Sequence, residues 1–176
     1  MLLNEIKHKP PVDTDTEYGI DAGRYVGVHF DEKTKRLLSD IVKGENIKDP
    51  TPADKMHSTI VYSKDNKVDG YDVQGKMDEP IEAEINDFDL FNTSDGKCLV
   101  AKLQSDELRN RHNRARELGA SYDYDEYIPH VTLSYNANDL GDEDLERLRK
   151  KYVGSKLYAD EEYEEPIERD WSKKNT

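Results

Sequence analysis

The chain has 176 residues, 34% hydrophobic and 37% charged, and its 39 acidic against 26 basic side chains give a formal charge of -13. That balance excludes the broad basic footprint needed to grip long nucleic acid, though not a small anion held in a locally polar cleft. One cysteine excludes a disulfide framework or a multi-cysteine zinc site, and no apolar run suits a membrane span or a secretory signal, so a cytoplasmic chain in a reducing compartment is expected.

Residues 1–22 read as an irregular N-terminal arm, with Pro10 and Pro11 ahead of a polar stretch. A single domain is expected over 23–171. It begins with a strand at 24–30, RYVGVHF. Asp31 then suits a helix N-cap. Leu37, Leu38, Ile41 and Val42 form a helical stripe, and Gly44 suits the stop. The prolines of DPTPADK mark a loop, and MHSTIVYS reads as the next strand, 56–63. Residues 71–92 contain strand-like pieces, with alternation around Ile81, Ala83 and Ile85. CLVAKL is a strand, Ser105 caps a helix to Leu118, and Gly119 ends it. A Tyr-rich loop leads into HVTLSY. A short helix covers 142–151, the acidic tail forms one or two strands, and 172–176 fray.

Strand, helix, loop and His-x-Thr strand occur twice in this order. Tyr25 precedes His57 by 32 positions, and Cys98 precedes His130 by the same 32. The reading is a duplicated β-α-β unit, giving a two-lobed α+β domain with a pseudo-two-fold axis.

The duplicated strands carry the candidate chemistry. Side chains alternate along a strand with period two. His57, Thr59, Val61 and Ser63 are therefore expected on one front face, with Ser58, Ile60 and Tyr62 behind. His130, Thr132 and Ser134 are expected in front, with Val131, Leu133 and Tyr135 on the core. If the two fronts meet across a cleft, it holds two imidazoles and two hydroxyls. An unperturbed imidazole titrates near ~6.5, so a neutral and a protonated copy coexist near neutrality. One then accepts a proton from an attacking hydroxyl while the other donates to the leaving oxygen, with the threonines on the non-bridging phosphate oxygens. This chemistry calls for no metal and no cofactor.

The pair HSTI and HVTL resembles the signature of the two-histidine (2H) phosphoesterase superfamily. MHSTIVYSKD and YIPHVTLSY look most like the phage anti-CBASS phosphodiesterases, over roughly residues 24–171. The resemblance implies a bilobal fold around a concave groove. It implies metal-independent cleavage of 3′–5′ phosphodiester bonds in cyclic oligonucleotide signals of a bacterial antiviral system. In the resembled family the neighbouring 2′-hydroxyl can act as nucleophile, through a 2′,3′-cyclic phosphate. It assigns catalysis to His57, Thr59, His130 and Thr132, base stacking to Tyr25 and Trp171, and an acidic role to Glu165.

Read without the family, those last three stay open. Tyr25 suits a strand core as well as a stacking role, Trp171 suits a structural anchor, and Glu165 is one of several tail glutamates. Strand alternation puts Tyr163, Glu165, Ile167, Arg169 and Trp171 on one face, with Pro166 needing an edge or a bulge. The run Arg109, Arg111, His112, Arg114 and Arg116 reads as a solvated helix face paired with local acids, His112 included. No histidine or cysteine pair has metal-ligand spacing.

Two further functions compete. One keeps the mechanism but acts on RNA ends, as a 2′,3′-cyclic phosphodiesterase or 2′-5′ ligase-like enzyme. The other is a non-enzymatic acidic interaction protein, which makes the two His-x-Thr strands accidental. The expected partner is the cyclic oligonucleotide substrate, with no long nucleic acid and no membrane. The sequence leaves the oligomeric state open.

Overall fold

Val26, Val28 and Phe30 are buried and alternate with Tyr25, Gly27 and His29, so β1 (Arg24–Phe30) has one face on a core and one turned away from it. Asp31 stops the strand and caps α1 (Glu32–Gly44), its Oδ1 accepting from Thr34 N at 2.8 Å. Leu38, Ile41 and Val42 bury the helix's apolar stripe, with Leu37 packed at its margin. A 3-10 turn, Ala53–Lys55, leads into β2 (His57–Ser63). The computed structural model describes residues 23–167; the expected arm 1–22, Arg169, Trp171 and the end 172–176 lie outside the described residues.

The remaining elements are β3 (Gly75–Thr93), β4 (Gly96–Gln104), α2 (Asp106–Glu117), β5 (His130–Ser134), α3 (Asp142–Tyr152) and β6 (Lys156–Glu165). Ser105 caps α2 as expected, accepting from Leu108 N, and Gly119 follows it with a φ of 106° that a glycine adopts without strain. The strand-like pieces of residues 71–92 join into one 19-residue strand. Its register on β6 breaks between Lys76 and Ile81, and Pro80, which has no N–H to give a ladder, falls in that break. Pro166 lies just past the end of β6, which is a single strand. Among the described residues no helix is long and apolar enough to cross a membrane.

All pairings are antiparallel, in the order β2-β1-β6-β3-β4-β5. The fold is α+β, and its halves match: β1–α1–β2 and β4–α2–β5 occupy equivalent places, with β6 and β3 side by side in the middle. Helices α1 and α2 each connect strands that are antiparallel neighbours. The outer strands β2 and β5 approach each other, so the sheet bends round a central groove. One continuous core, from Val26 through Leu38, Ile85, Phe88, Leu133 and Leu148 to Leu157, runs behind both halves.

The motif strands depart from simple alternation at the same point. Thr59 pairs with Gly27 and Val61 with Val26, so Ile60 is an extra residue in β2. Thr132 pairs with Val100 and Ser134 with Leu99, so Leu133 is the extra residue in β5. Such a bulge shifts the phase of everything after it. Val61 and Ser63, expected in front, are buried, and Ser63 Oγ donates to Asn66 O at 2.9 Å. Ser134 is likewise buried and donates to Lys48 O at 2.7 Å. Tyr62 and Tyr135, expected behind, move forward: Tyr62 meets Tyr25, and Tyr135, like Phe91, packs against the small cluster of Cys98 and Val100 outside the main core.

The basic run on α2 also differs from expectation. Arg111 is buried with its Nη1 3.0 Å from Glu162 Oε1, and Glu162 also accepts from Tyr71 Oη at 2.6 Å and Gln74 N at 2.9 Å. Arg109 and Arg116 donate to the carbonyls of Tyr127 and Ala120. Arg114 lies 5.1 Å from the Tyr71 ring centroid. His112, expected at the surface, is buried and stacked on Tyr127 at 4.0 Å. Arg111 does pair with a local acid, its Nε 2.6 Å from Glu107, but the other groups of the run hold rings and carbonyls instead of facing solvent.

Candidate active site

His57 and His130 open their strands from equivalent positions, and each is half-buried. His57 Nδ1 lies 3.1 Å from Lys55 O, and His130 Nδ1 lies 2.8 Å from Ile128 O, two residues upstream in each case. A carbonyl only accepts, so Nδ1 carries the hydrogen in both rings and Nε2 is left for chemistry.

Burial lowers the pKa of both imidazoles. For His57 the bond to Lys55 O opposes the shift, while His29 adds to it. His130 falls to about 4, chiefly through burial, with the bond to Ile128 O opposing and repulsion from His57 and Lys102 adding. The unliganded groove therefore holds two neutral imidazoles at neutral pH, where the sequence suggested one of each charge state. An anion between them acts in the other direction and favours protonation.

Thr59 and Thr132 follow two residues after their histidines, on the same faces and just ahead of the bulges. Thr59 Oγ1 shares a 2.8 Å hydrogen bond with Tyr25 Oη. Tyr25 is 3% exposed, its ring set edgewise to His57 at 6.3 Å and to Tyr62 at 6.3 Å. Its hydroxyl thus sets the direction of the Thr59 hydroxyl. Glu165 is exposed at the end of β6, in register with Tyr25, and borders an open pocket of about 370 Å³ with Arg24 and Lys67. Trp171 lies outside the described residues.

Two successive carbonyls at the β2 bulge are held from the other half of the molecule. Tyr127 Oη donates to Thr59 O at 2.7 Å, and His112 Nδ1 to Ile60 O at 2.8 Å. Beside His130 lies a second open pocket of about 360 Å³, lined by Leu90, Phe91, Asn92, Tyr122, Tyr124, Glu126 and Ile128. Phe91 meets the His130 ring edgewise at 5.1 Å. Among the described residues, no three His, Cys, Asp or Glu side chains converge as metal ligands.

Sequence reasoning missed Tyr62, which the bulge hides. It also missed His29 and Lys102, although both lie on the front face by period-two counting from Tyr25 and Cys98. Phe91, Tyr122 and Tyr124 join His130 around one pocket only through tertiary packing.

The sequence profile of a family described as anti-CBASS protein Acb1 matches residues 22–174. The chain belongs to the Acb1 family. The Acb1 of Enterobacteria phage T4 is 37% identical over 153 residues, covering 85% of this chain and 91% of that protein. The Acb1 of Salmonella phage S16 is 36% identical over 151 residues, covering 86% and 92%. Among solved structures, apo LigT of E. coli superposes with a TM-score of 0.52 at 14% identity, over 84% of this chain and 95% of that one. A phosphoesterase superposes with a TM-score of 0.52 at 12% identity, over 81% and 86%. The chain thus has a LigT-like phosphoesterase fold, as the resemblance carried by HSTI and HVTL implied.

Proposed function

We propose that this chain is a phosphodiesterase that opens the 3′–5′ bonds of cyclic oligonucleotide signals, and so counters a CBASS antiviral defence in the host cytoplasm. The observation that carries the reading is the pair of equivalent imidazoles, each locked through Nδ1 on the carbonyl two residues upstream. Membership of a family named for anti-CBASS proteins supports the biological direction.

One Nε2 accepts the proton of the substrate's 2′-hydroxyl as that oxygen bonds to phosphorus. The bond from phosphorus to the 5′-oxygen breaks, and the other Nε2, protonated, gives its proton to the leaving oxygen. A 2′,3′-cyclic phosphate results. Thr59 and Thr132 donate to the non-bridging oxygens as charge gathers there. Proton transfer by imidazoles lets the reaction run without a metal. The aromatic pocket beside His130 has room for a base. Glu165 is the counterpart on the His57 side, and Tyr25 acts there by directing Thr59; the stacking role of Trp171 rests on the family resemblance alone.

The test is a product assay in EDTA on cyclic di- and trinucleotides and on a linear RNA ending in a 2′,3′-cyclic phosphate. Cleavage of the cyclic signals, lost in His57→Ala and in His130→Ala, is expected. Activity on the linear end alone would move the protein to RNA processing. Undiminished turnover in both variants would remove the mechanism, and activity that needs added metal would remove its metal independence.

A further inference from the structure

Beside each imidazole, on the next strand inward, stands another basic side chain. His29 pairs with His57 across β1 and β2, and Lys102 pairs with His130 across β4 and β5. Each precedes its histidine by 28 positions, so the duplication that places the imidazoles places these two as well. Their surroundings match. The His29 ring stacks on Tyr163 at 4.0 Å with 6° between planes, and its Nδ1 is 3.4 Å from Glu161. Lys102 Nζ is 3.0 Å from Asp89 and 5.9 Å from the Phe91 centroid. Lysine is disfavoured in strands and costly to withdraw from water, yet Lys102 lies mid-strand with its side chain only 25% exposed.

We infer that His29 and Lys102 are a pseudo-symmetric pair of anion sites, one beside each imidazole, that hold the phosphates of an oligonucleotide in the groove. The inference rests on the phosphodiesterase reading and specifies where the substrate's charge is held. A chain of charge -13 repels an anion at long range, so local cations must reverse the field at the groove. There, half withdrawn from water, each opposite-charge contact counts for more than at the open surface. An ammonium has three donors, so Lys102 keeps two for a phosphate while one serves Asp89. His29 holds its Nδ1 3.4 Å from Glu161, which leaves Nε2 for a phosphate oxygen.

The charged groups facing Lys102 are Asp87 and Asp89 on β3 and His130 on β5; those facing His29 are His57 on β2 and Glu161 on β6. After burial, which dominates, Lys102 is among the groups that work against protonation of His130, as His29 works against that of His57. The two basic side chains therefore bind substrate and also tune the two proton carriers.

Lys102→Met and Lys102→Arg in the full chain test this, with His29→Gln as the companion on the other half. Lys102→Met is expected to raise KM for a cyclic dinucleotide about tenfold, with a smaller effect on kcat, the loss of one charge-assisted contact. Inorganic phosphate binds more weakly, and the His130 imidazole, followed by NMR, titrates at higher pH because a repelling charge has gone. Lys102→Arg retains phosphate affinity and the wild-type titration. Wild-type KM, phosphate affinity and His130 titration in Lys102→Met would overturn the inference, as would an Arg variant as impaired as the Met variant. Should the wild-type chain cleave no cyclic dinucleotide, the phosphodiesterase reading fails by itself. Phosphate binding and the titration then decide the anion sites separately.

Discussion

An imidazole withdrawn from water is harder to protonate, and His130 titrates near 4 where a free imidazole titrates near 6.5. Between those values the unfolded chain carries a proton that the folded chain does not. Stability from this residue is complete above pH 6.5 and is lost as pH falls toward 4. Wild-type protein should lose on the order of 2 kcal/mol between pH 7 and pH 5 by urea denaturation, and His130→Gln should flatten that slope. An equally steep variant would show that the acid sensitivity lies elsewhere. Tyr25→Phe keeps the ring but removes the partner of Thr59 Oγ1. It should lower kcat about tenfold with little change in KM or melting temperature. At this scale the His-x-Thr pairs were legible because they repeat. Tyr62 was not, because its side of the strand depends on an extra residue that only pairing with β1 reveals.

At the scale of elements, helix ends were the most legible feature. Asp31 and Ser105 are local signals that need no tertiary partner. The bulges were illegible for the opposite reason. Ile60 continues a good strand sequence, and nothing in HSTIVYS marks it as the residue to be skipped. What stabilises the β2 bulge comes from distant sequence, through Tyr127 Oη on Thr59 O and His112 Nδ1 on Ile60 O. Tyr127→Phe preserves the stack on His112 and leaves a carbonyl without its donor. The expected cost is about 1–3 kcal/mol. Because that carbonyl belongs to Thr59, kcat should fall as well. A variant that loses stability at unchanged kcat would show that the bulge holds its shape without this bond.

For the molecule as a whole, the two halves share one core, and a buried charge ties them together. Arg111 comes from α2 of the second half and Glu162 from β6 beside the first, with Tyr71 and Gln74 N completing the carboxylate's partners. In the sequence Glu162 is one of a run of tail glutamates, and Arg111 is one of a run of arginines, so nothing singled out either. The charge of -13 describes the surface and carries no information about which acid is inside. Taking a carboxylate out of water is costly, and the cost is met only while its partners remain. Glu162→Ala should therefore destabilise by about 1–3 kcal/mol, since it takes from Arg111 its buried partner and leaves it Glu107 and Gln74 Oε1. Replacing both, Glu162→Leu with Arg111→Met, should cost clearly less than the two single changes added together, because no unpaired charge is left behind. Denaturation midpoints of the two single variants and the double variant measure this. Additive losses would mean that the two groups act independently, and that the halves are held in register by the shared apolar core alone.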